Sequence, residues 1–595
     1  MKKSKFIYAL AISLAALCSC DDLDEFPKDK VSPESYFKSE TELELYTNQF
    51  YSLMPSVSTS FNYYLEEGEH IVIPTPSREI LGARTIPTKA SEVGWTWTTL
   101  RKINYFLQNS YRCDNKDVRL RYEGVAYFFR AYFYYNMLTK FGEVPWYDQP
   151  LGSDQEDLLK KPRDSRDVII GHIIADCDSA FKYLPTAHNY ATVNAWTALA
   201  LKSRACLFEG TFRKYHAGDA FNPSSLEWKE ILKKGAEASL KLMDEGGYKL
   251  YTEGSEPYRD LFASLEIRED EMIWVRLMSE QSAIKNNANG WANTRAVGFT
   301  KRFVNLYLNS DGSRFTDRPG YETMTYADEC KDRDPRMAQT VYCPGYIQRG
   351  ETRTYATDLA KCPTGYKYIK YVMEAKYNVW DASLVPLPIF RLGEIYLNYA
   401  ECLAELGTLT QADLDISVNK LRDRVGMPHL KLADANANPD PVLLSAETGY
   451  PNVSKDGNTG VILEIRRERM VEMPLEGVHY NDILRWREGQ AYTKPFYGQY
   501  FPGEGKYDLT GDGRANVCLY TDKKPGGLGL TFLKIGTDIE LSEGDKGYMI
   551  VHGDEALQRV WNEGRDYLYA IPINERLLTG GALTQNPGWK DGLNF

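Results

Sequence analysis

The alternation of apolar and polar positions predicts a chain built mainly from α-helices. The first strong signal is RYEGVAYFFRAYFYYNMLTKF, residues 121–141, in which apolar side chains occupy nearly every face. A helix that is apolar all round is a buried helix. Helical periods also cover residues 164–184, 194–209 and 228–243, where small residues such as Ala198 allow close contact between helices. These segments predict a packed helical scaffold.

A second helical region lies downstream, where two helices are joined by a tight turn. RLGEIYLNYAECLAEL, residues 391–406, is followed after Gly407 by a helix over residues 411–424, which Gly426 ends. Two such helices with small residues on the facing side make a tetratricopeptide-like hairpin, although the copies do not align at a fixed period of about 34 residues. We therefore predict a mainly α fold, in which such hairpins form an α/α superhelical scaffold.

Two long stretches lack any helical period. Residues 250–390 and 490–565, roughly, are crowded with Gly, Pro, Asn and Tyr. Long loops inside a compact body are uncommon unless they carry function. We expect the binding surface on these irregular loops.

The N-terminus has the order of an export signal. Three lysines among the first five residues precede an apolar run over residues 6–17, which is too short to span a hydrocarbon core of about 30 Å comfortably. The tetrapeptide LCSC at 17–20 resembles a bacterial lipobox, and this predicts that Cys20 is lipidated. Modification of Cys18 instead would put bulky Leu17 at a cleavage position that needs a small side chain.

This signal divides the chain into three parts. We predict a lipoprotein signal peptide at 1–19, a lipidated tether at 20–40 and a single body at 41–595. The acidic residues after Cys20 resemble the export tag that sends some lipoproteins to the outer face of the Gram-negative outer membrane. No later stretch approaches about 18 consecutive apolar residues, so the sequence predicts no further membrane anchor.

Composition narrows the range of partners. The 595 residues are 43% hydrophobic and 26% charged, which is enough for a hydrophobic core and a solvated, charged surface. A net charge of -11 argues against sequence-independent binding to nucleic acid, which needs clustered Lys and Arg. The seven histidines show no HExxH or similar spacing, so no catalytic metal site is indicated.

The remaining eight cysteines include no CxxC pair, which argues against a zinc ribbon or a thioredoxin-like centre. Cys177 and Cys206, like Cys402, lie in apolar helical patterns and are interpreted as small core residues. Cys330, Cys343 and Cys362 share one loop-rich region and could pair in an oxidising compartment. The sequence leaves that pairing open.

One loop has part of a calcium-binding pattern, in the segment YDLTGDGRANV. Its oxygen-bearing side chains follow the early positions of a calcium loop: Asp508, Thr510, Asp512 and Asn516. Gly513 stands at the sharp turn, but Leu519 replaces the bidentate acid expected at the twelfth position. A plain Asp-Gly turn is the alternative. We predict no required cofactor, with calcium as the one candidate.

Several longer segments together resemble the SusD/RagB family. They are EGVAYFFRAYFYYNMLTKFGEVPW, the tetrapeptide RDPR at 333–336, RLGEIYLNYAECLAELG, the block EIRRERMVEMPLEGVHYNDILRW at 464–486, and the closing YAIPINERLLTGGALTQNPGW at 569–589. The resemblance covers essentially the whole chain in the expected order. The chain departs from it at His479, where the family pattern EGxRxxDLxRW usually has Arg, and at Pro474, which falls within the preceding predicted helix.

The resemblance implies a fold, a location and a function. It implies a mainly helical lipoprotein, anchored in the outer membrane and exposed at the cell surface, that captures a glycan without cleaving it. It also implies a partner, a TonB-dependent transporter of the SusC type, which takes up the glycan and whose barrel the protein caps.

The best candidate for glycan contact is the tryptophan pair in Gly94-Trp95-Thr96-Trp97. Sugar rings present flat C–H faces that pack on aromatic planes, and their hydroxyls need polar partners nearby. Family members commonly place ligand aromatics in this early loop, and Arg84 and Trp291 are suitable companions from other loops. The alternative is that a tryptophan fills the core, as large aromatics often do.

Two charged motifs are interpreted as architecture. In EIRRERM, Glu464, Glu468 and Glu472 recur at four-residue spacing beside arginines, which predicts ion pairs between positions i and i+4 of one helix. In the RDPR tetrapeptide, a proline-stiffened turn is expected to present guanidinium groups to nearby carbonyls or acids.

Two other hypotheses stay open at this point. The first is a surface glycoside hydrolase with an unrecognised pair of carboxylates, because the separation that such a pair needs is spatial and cannot be read from spacing. The second is a transporter cap that binds a peptide or no ligand of its own. The sequence does not identify the glycan.

Overall fold

The computed structural model describes residues 36–56, 69–73, 75–152, 154–222, 227–294, 296–551 and 559–595. The predicted signal peptide, Cys20 and most of the tether therefore lie outside the described residues. Phe37 falls within the stretch that the sequence assigns to the tether. It is buried, with its ring 5.9 Å from that of Phe106.

The helices are α1 Glu40–Thr47, α2 Thr98–Asn109, α3 Lys116–Phe141, α4 Glu156–Leu159, α5 Arg166–Tyr183, α6 Ala195–Tyr215, α7 Trp228–Glu245, α8 Pro257–Phe262, α9 Ala288–Thr294, α10 Lys301–Leu306, α11 Tyr326–Glu329, α12 Pro335–Thr340, α13 Leu392–Leu406, α14 Gln411–Asp415, α15 Val418–Val425, α16 Leu432–Ala437, α17 Pro441–Leu444, α18 Thr459–Glu472, α19 His479–Trp486 and α20 Ile573–Leu578. The strands are β1 Ile71–Val72, β2 Met272–Arg276, β3 Gly298–Phe299, β4 Leu387–Arg391, β5 Tyr497–Phe501, β6 Gly505–Tyr507, β7 Val517–Tyr520, β8 Thr531–Lys534, β9 Glu540–Leu541 and β10 Gly547–Ile550.

The long helices pack side by side in a continuous row. α3 lies against α5, α5 against α6, α6 against α7, α7 against α13, and α13 against α18. Side-chain caps set where helices begin: Asn115 accepts a hydrogen bond from the Val118 amide at the start of α3, and Asn194 caps α6. The mainly helical fold class predicted from the sequence is confirmed.

Small residues let three of these helices approach closely. A Cβ atom added to Gly235 of α7 would lie 3.0 Å from Cβ of Cys206 on α6 and 3.1 Å from Sγ of Cys402 on α13. Both cysteines are fully buried, as their apolar surroundings predicted. All eight cysteines in the described part of the chain, Cys330, Cys343 and Cys362 among them, carry free thiols.

Two helix boundaries differ from the sequence prediction. The helix predicted over residues 411–424 is interrupted after α14, and α15 begins anew behind Ser417, whose φ and ψ of -130° and -95° are not helical. The helix α18 ends at Glu472, so Pro474 lies beyond it rather than within it. A proline fits there because it no longer has to donate a helical hydrogen bond.

The loop-rich stretches contain small sheets that the sequence did not predict. β2 pairs with β4 antiparallel, β5 with β10 and β10 with β9, while β7 is flanked by β6 and, in parallel, by β8. These strands have at most five residues, which is too short for a clear two-residue period.

The charges of EIRRERM pair between elements rather than along one helix, which corrects the predicted i to i+4 pattern. Glu472 accepts hydrogen bonds from Arg336 at 3.2 Å and Arg391 at 2.9 Å, and also from Arg424. Within α18 the described pair is Arg467–Glu464, at i and i+3. Arg333 of the RDPR turn donates to backbone carbonyls, as predicted. These buried pairs fasten separate helices together.

One contiguous cluster of buried hydrophobic residues extends along the sequence from Phe37 to Leu583. Among the residues that the structure describes, no helix is both long and apolar enough to cross a membrane. The predicted extent of the body, 41–595, remains a prediction.

Candidate functional site

A cavity of about 340 Å³ opens beside the N-terminus of α2. We call it the tryptophan cleft. Its lining residues come from α2 and the turn before it, from the loop after α3, from the end of α4, and from the C-terminal segment around α20. They are Trp95, Trp97, Thr98, Leu100, Arg101, Asn104, Pro145, Tyr147, Gln149, Leu151, Leu159, Glu575, Thr579 and Leu583. Its volume lies within the range of about 300–1,000 Å³ found for small-ligand pockets.

The aromatic wall of the cleft is made by Trp97 and Tyr147. Both are half-buried, and their rings meet edge to face with centroids 5.5 Å apart and an interplanar angle of 78°. Trp97 is held from behind by Phe133, at 5.5 Å. The Tyr147 hydroxyl donates to the Leu158 carbonyl at 3.2 Å, which fixes the ring. Two rigid aromatic planes are therefore exposed to the cavity.

Trp95 has a different position from Trp97, although both line the cleft. It is 2% exposed and packs edge to face on Phe141, with ring centroids 4.9 Å apart. Its ring also meets that of Trp97 at 5.4 Å. Trp95 therefore forms the floor of the cleft and part of the core, whereas Trp97 presents more of its surface.

The polar groups of the cleft stand at its rim. Glu575 of α20 is half-buried, and no described residue forms a hydrogen bond or an ion pair with its carboxylate; burial raises the pKa of this group. Arg101 is exposed and donates a hydrogen bond through Nε to the Leu151 carbonyl at 3.0 Å. Gln149 is exposed beside it. A carboxylate, a guanidinium and an amide therefore surround the aromatic wall.

Asn104 has a structural role in the cleft, because its side chain is buried and already hydrogen-bonded. It is 1% exposed, and its amide nitrogen donates to the Tyr147 carbonyl at 2.9 Å. The loop that carries Tyr147 is thereby tied to α2. Sequence reasoning missed Tyr147, Arg101 and Glu575, because only the fold brings them to Trp97.

Arg84 and Trp291 do not line the tryptophan cleft. Arg84 is 7% exposed, lies 3.4 Å from the carboxylate of Asp566 and places its guanidinium 4.6 Å from the ring centre of Tyr569. Trp291 belongs to α9 and lies 6.2 Å from Trp380, ring to ring. Of the four residues that the sequence analysis grouped, Trp95 and Trp97 line the cleft, whereas Arg84 and Trp291 lie at two other positions in the fold.

His479, the departure from the family pattern, belongs to a buried polar cluster. The His70 and His479 rings stack at 3.8 Å with an interplanar angle of 12°. Glu69 accepts from the Tyr450 hydroxyl at 2.7 Å and lies 3.0 Å from His479 Nε2, while His70 Nε2 lies 3.0 Å from the Tyr450 oxygen.

These ligand-type atoms lie close together, but the ring geometry does not suit one ion. A zinc ion binds imidazole nitrogen at about 2.0–2.1 Å, along the lone pair in the ring plane. Because the two imidazoles are nearly parallel and 3.8 Å apart, an ion equidistant from both Nε2 atoms would lie outside both ring planes. The cluster of Glu69, His70, His479 and Tyr450 is a hydrogen-bonded network in this conformation.

The loop considered for calcium has the hydrogen bonds of an Asp-Gly turn. The Asp508 carboxylate accepts from the Thr510 amide at 2.9 Å and from the amides of Gly511 and Gly513 at 2.7 Å. Asp512 accepts from the Arg514 amide, and Asn516 donates to the Thr510 hydroxyl. Backbone amides already donate to both carboxylate oxygens of Asp508 and to one of Asp512. Calcium binding here remains a prediction.

The model of the SusD family matches residues 262–589, more than half of the chain. The chain belongs to the SusD family. Two SusD-like proteins of Formosa agariphila, P38 and P2, are 22% and 23% identical to it; the matches cover 84% and 83% of this chain and 95% and 93% of theirs.

Solved SusD-like structures share the fold. A SusD-like carbohydrate-binding protein from Bacteroides fragilis superimposes with a TM-score of 0.67 at 19% identity, over 91% of this chain and 99% of the other. A laminarin-binding SusD-like protein gives a TM-score of 0.53 at 16% identity, over 93% of this chain and all of the other. This chain therefore has the SusD-like fold, which it shares with one protein described as carbohydrate-binding and one described as laminarin-binding.

Proposed function

We propose that this SusD-family protein is a lipid-anchored receptor at the cell surface that binds an oligosaccharide in the tryptophan cleft. It delivers the sugar to a TonB-dependent transporter of the SusC type for uptake. The observation that carries the proposal is the half-buried edge-to-face pair of Trp97 and Tyr147, which lines the cleft with Glu575, a carboxylate that has no partner among the described residues. The carbohydrate-binding relatives in the family support it.

The chemistry of the cleft suits a sugar. The apolar C–H face of a pyranose ring packs on the Trp97 indole and excludes water from it. Glu575 accepts hydrogen bonds from hydroxyl groups, and Arg101 donates to them. Hydrogen bonds to charged groups contribute about 1.5–3 kcal/mol each, twice or more what neutral ones do.

The same lining argues for binding rather than hydrolysis. Glycoside hydrolysis uses two carboxyl groups, about 5–5.5 Å apart in retaining enzymes and about 6.5–9.5 Å apart in inverting ones. Among the described residues that line the cleft, Glu575 is the one acidic side chain. One carboxyl can hold a hydroxyl but cannot divide the acid and nucleophile roles.

The test begins with a glycan array of neutral and acidic plant, algal and host oligosaccharides, followed by calorimetry of the best ligand. Trp97→Ala is expected to weaken binding about 5- to 150-fold, the effect of removing one key aromatic contact worth about 1–3 kcal/mol. Trp380→Ala is the matched control, because Trp380 is 40% exposed and lies outside the cleft. It should bind as the wild type does.

Three results would contradict the proposal in different ways. Shortened sugar products after incubation with purified protein would favour a hydrolase. An array without any bound glycan, combined with co-purification of the transporter from detergent-solubilised outer membranes, would favour a cap that binds a peptide or nothing. Equal affinity of Trp97→Ala and wild type would place the sugar elsewhere.

A further inference from the structure

Two cysteine side chains meet at the end of helix α11, in the loop-rich part of the chain. Cys330 follows the last residue of α11, and its amide donates a hydrogen bond to the Tyr326 carbonyl at 3.2 Å. Cys343 lies in the segment after α12 and is 6% exposed. A hydrogen bond joins the two thiol groups. Both cysteines have free thiols in this structure, but their side chains are in direct contact.

The fold holds the two segments together through Tyr326. Its hydroxyl donates a hydrogen bond to the carbonyl of Tyr342, the residue before Cys343. Its ring is buried and packs edge to face on Tyr366, with centroids 5.6 Å apart. A fixed aromatic side chain therefore ties the helix that carries Cys330 to the segment that carries Cys343.

The residues around Cys330 are anchored as well. The Glu329 carboxylate accepts a hydrogen bond from the Tyr366 hydroxyl at 2.7 Å. Nη1 of Arg333 donates to the Glu329 carbonyl at 2.8 Å. The end of α11 is thus held on both sides, and the contact between Cys330 and Cys343 belongs to the native packing.

Cys362, the third cysteine of this region, has a different environment. It is 1% exposed, and its sulfur lies 4.0 Å from the Thr364 hydroxyl. A Cβ atom added to Gly298 would lie 2.8 Å from the same sulfur, so Cys362 packs against strand β3. The pairing that the sequence leaves open is therefore narrowed to Cys330 and Cys343.

The compartment decides whether two thiols in contact stay reduced. Disulfide bonds form and persist outside the cytoplasm, whereas glutathione and thioredoxin keep thiols reduced inside it. Under the proposed function, the body of this protein folds outside the cytoplasm. Two cysteines whose thiols already touch need only a small movement to reach the S–S bond length of about 2.05 Å.

We propose that Cys330 and Cys343 form a disulfide bond as the exported chain folds, while the other six cysteines of the described chain stay free. This inference rests on the surface location in the proposed function and not on sugar binding. The bond closes residues 330–343 into a loop that contains the RDPR turn. Arg336 of that turn pairs with Glu468 at 2.5 Å and with Glu472 at 3.2 Å, so the bond fastens a segment of the buried charge network.

The oxidant is a thiol oxidase that carries a disulfide of its own. The Cys330 thiolate attacks that disulfide, forms a mixed disulfide and releases one oxidase sulfur as a thiolate. The Cys343 thiolate then attacks Sγ of Cys330, which forms the new bond and releases the second oxidase sulfur. The two cysteines lose two protons and two electrons, and the oxidase disulfide takes up both electrons and becomes a dithiol.

The burial of Cys330 sets the time at which the bond forms. Burial raises the pKa of the Cys330 thiol well above its usual 9, and the hydrogen bond with Cys343 raises it further. Since the thiolate is the nucleophile in the exchange, the finished fold oxidises slowly. The bond therefore forms before α11 has packed.

The test is peptide mapping by mass spectrometry of the full-length protein, exported by a Gram-negative host and purified with its free thiols blocked. Trypsin cuts between the two cysteines, after Lys331, Arg333 and Arg336. We expect one cross-linked pair of peptides, lighter by two hydrogen atoms than the reduced pair, and six free thiols per lipidated chain. The same chain made in the cytoplasm without its signal peptide should have eight.

Variants check the effect of the bond on stability. A disulfide stabilises a protein mainly by restricting the unfolded chain, so Cys330→Ser and Cys343→Ser should each lower the melting temperature of the exported protein by a few degrees. Dithiothreitol should lower the melting temperature of wild type and leave that of both variants unchanged. Cys362→Ser is the matched control and should keep the cross-linked peptides.

Each remaining outcome contradicts a different statement. Eight free thiols in the exported protein, or a cross-link that includes Cys362, overturn this inference, and the mapping needs no variant that must fold. Fractionation of the same cells shows where the protein is. Protein that stays in the cytoplasm overturns the surface location and this inference with it, whereas silence of the glycan panel contradicts sugar binding alone.

Discussion

The imidazole rings of His70 and His479 lie face to face at 3.8 Å, buried beside the carboxylate of Glu69. His479 occupies the position where the SusD/RagB pattern usually has arginine. A guanidinium would bring a fixed charge to Glu69, whereas an imidazole brings one that depends on pH. Position 479 therefore carries a group whose charge can change with pH, in contact with His70 and beside a buried carboxylate.

We expect the protein to lose stability as the pH falls below about 6.5. Burial lowers the pKa of His70 well below its usual 6.5, and the charge of His479 lowers it further. The folded state thus binds fewer protons than the unfolded one, so the stability is complete above the unfolded pKa and falls as the pH drops toward the folded one. Melting temperatures between pH 8 and pH 5 measure the loss.

The groups that act on His70 in that experiment are Glu69, His479, Arg302 and Asp482. His70→Asn should flatten the pH dependence between pH 7 and pH 5. An equal slope in wild type and His70→Asn would show that other groups cause the acid sensitivity.

Glu472→Gln should destabilise the protein by about 3–5 kcal/mol, because it breaks a buried ion-pair network and leaves guanidinium groups uncompensated. Burial by itself would raise the pKa of Glu472, but the charges of Arg424, Arg391 and Arg336 outweigh it and lower the pKa from 4.5 to about 2. The stabilisation is present above pH 4.5 and is lost as the pH falls toward 2.

Denaturant unfolding at pH 7 measures the Glu472→Gln effect. The comparison is Glu230→Gln, whose carboxylate pairs with Lys233 on the surface of α7. Exposed pairs contribute little, so this variant should melt as wild type does. Similar losses in both variants would mean that burial does not decide the strength of these pairs.

Trp486→Ala should destabilise by about 3–5 kcal/mol, the cost of deleting a buried aromatic side chain. Trp486 is fully buried, and its Nε1 donates to Glu401 at 2.8 Å. The carboxylate would lose this donor, but glycan binding should be unaffected because Trp486 does not line the tryptophan cleft. A melting temperature equal to that of Trp380→Ala would refute the expectation.

The two tryptophans of the cleft should respond differently to truncation. Trp95→Ala is expected to cost about 3–5 kcal/mol of stability, since Trp95 packs on Phe141 in the core. Trp97→Ala should cost less stability and more affinity. Thermal unfolding and calorimetry on the same two samples separate the effects; equal losses of stability would mean that Trp97 is as much a core residue as Trp95.

Cys20→Ala should release the folded protein from the membrane. Lipid chains supply about 0.8 kcal/mol per buried CH₂ group, and without the thiol there is no attachment point. Fractionation of cells that lack the partner transporter decides it. If the variant stays as firmly membrane-bound as wild type in those cells, Cys20 is not the residue that anchors the protein.

The helical scaffold could be predicted because its signal is local. Residues 121–141 are apolar on almost every face, and they lie in the buried helix α3. The break at Ser417 could not be foreseen, since Gln411–Asp415 and Val418–Val425 both have helical patterns and only tertiary packing separates them. The short strands of the loop regions were not predicted, because strands of at most five residues show no clear two-residue period.

The candidate site was predictable only in part. The sequence predicted Trp95 and Trp97 as a pair. It could not predict which ring faces the core, because a turn has no fixed side-chain period. Glu575 stands beside Trp97 only through long-range packing, and its local sequence INERLL is that of an ordinary short helix. Site residues that are this far apart in the sequence can be grouped only once the fold is known.

The tryptophan cleft joins an early segment of the chain, at Trp97, to a very late one, at Glu575. If the chain folds as it is translocated from its N-terminus, the helical scaffold can form while one side of the cleft is still missing. The cleft proposed to bind sugar would then be completed only when the segment carrying α20 folds. Under the proposed function, a protease that trims the segment carrying α20 would leave the N-terminal anchor in place and remove one side of the sugar site.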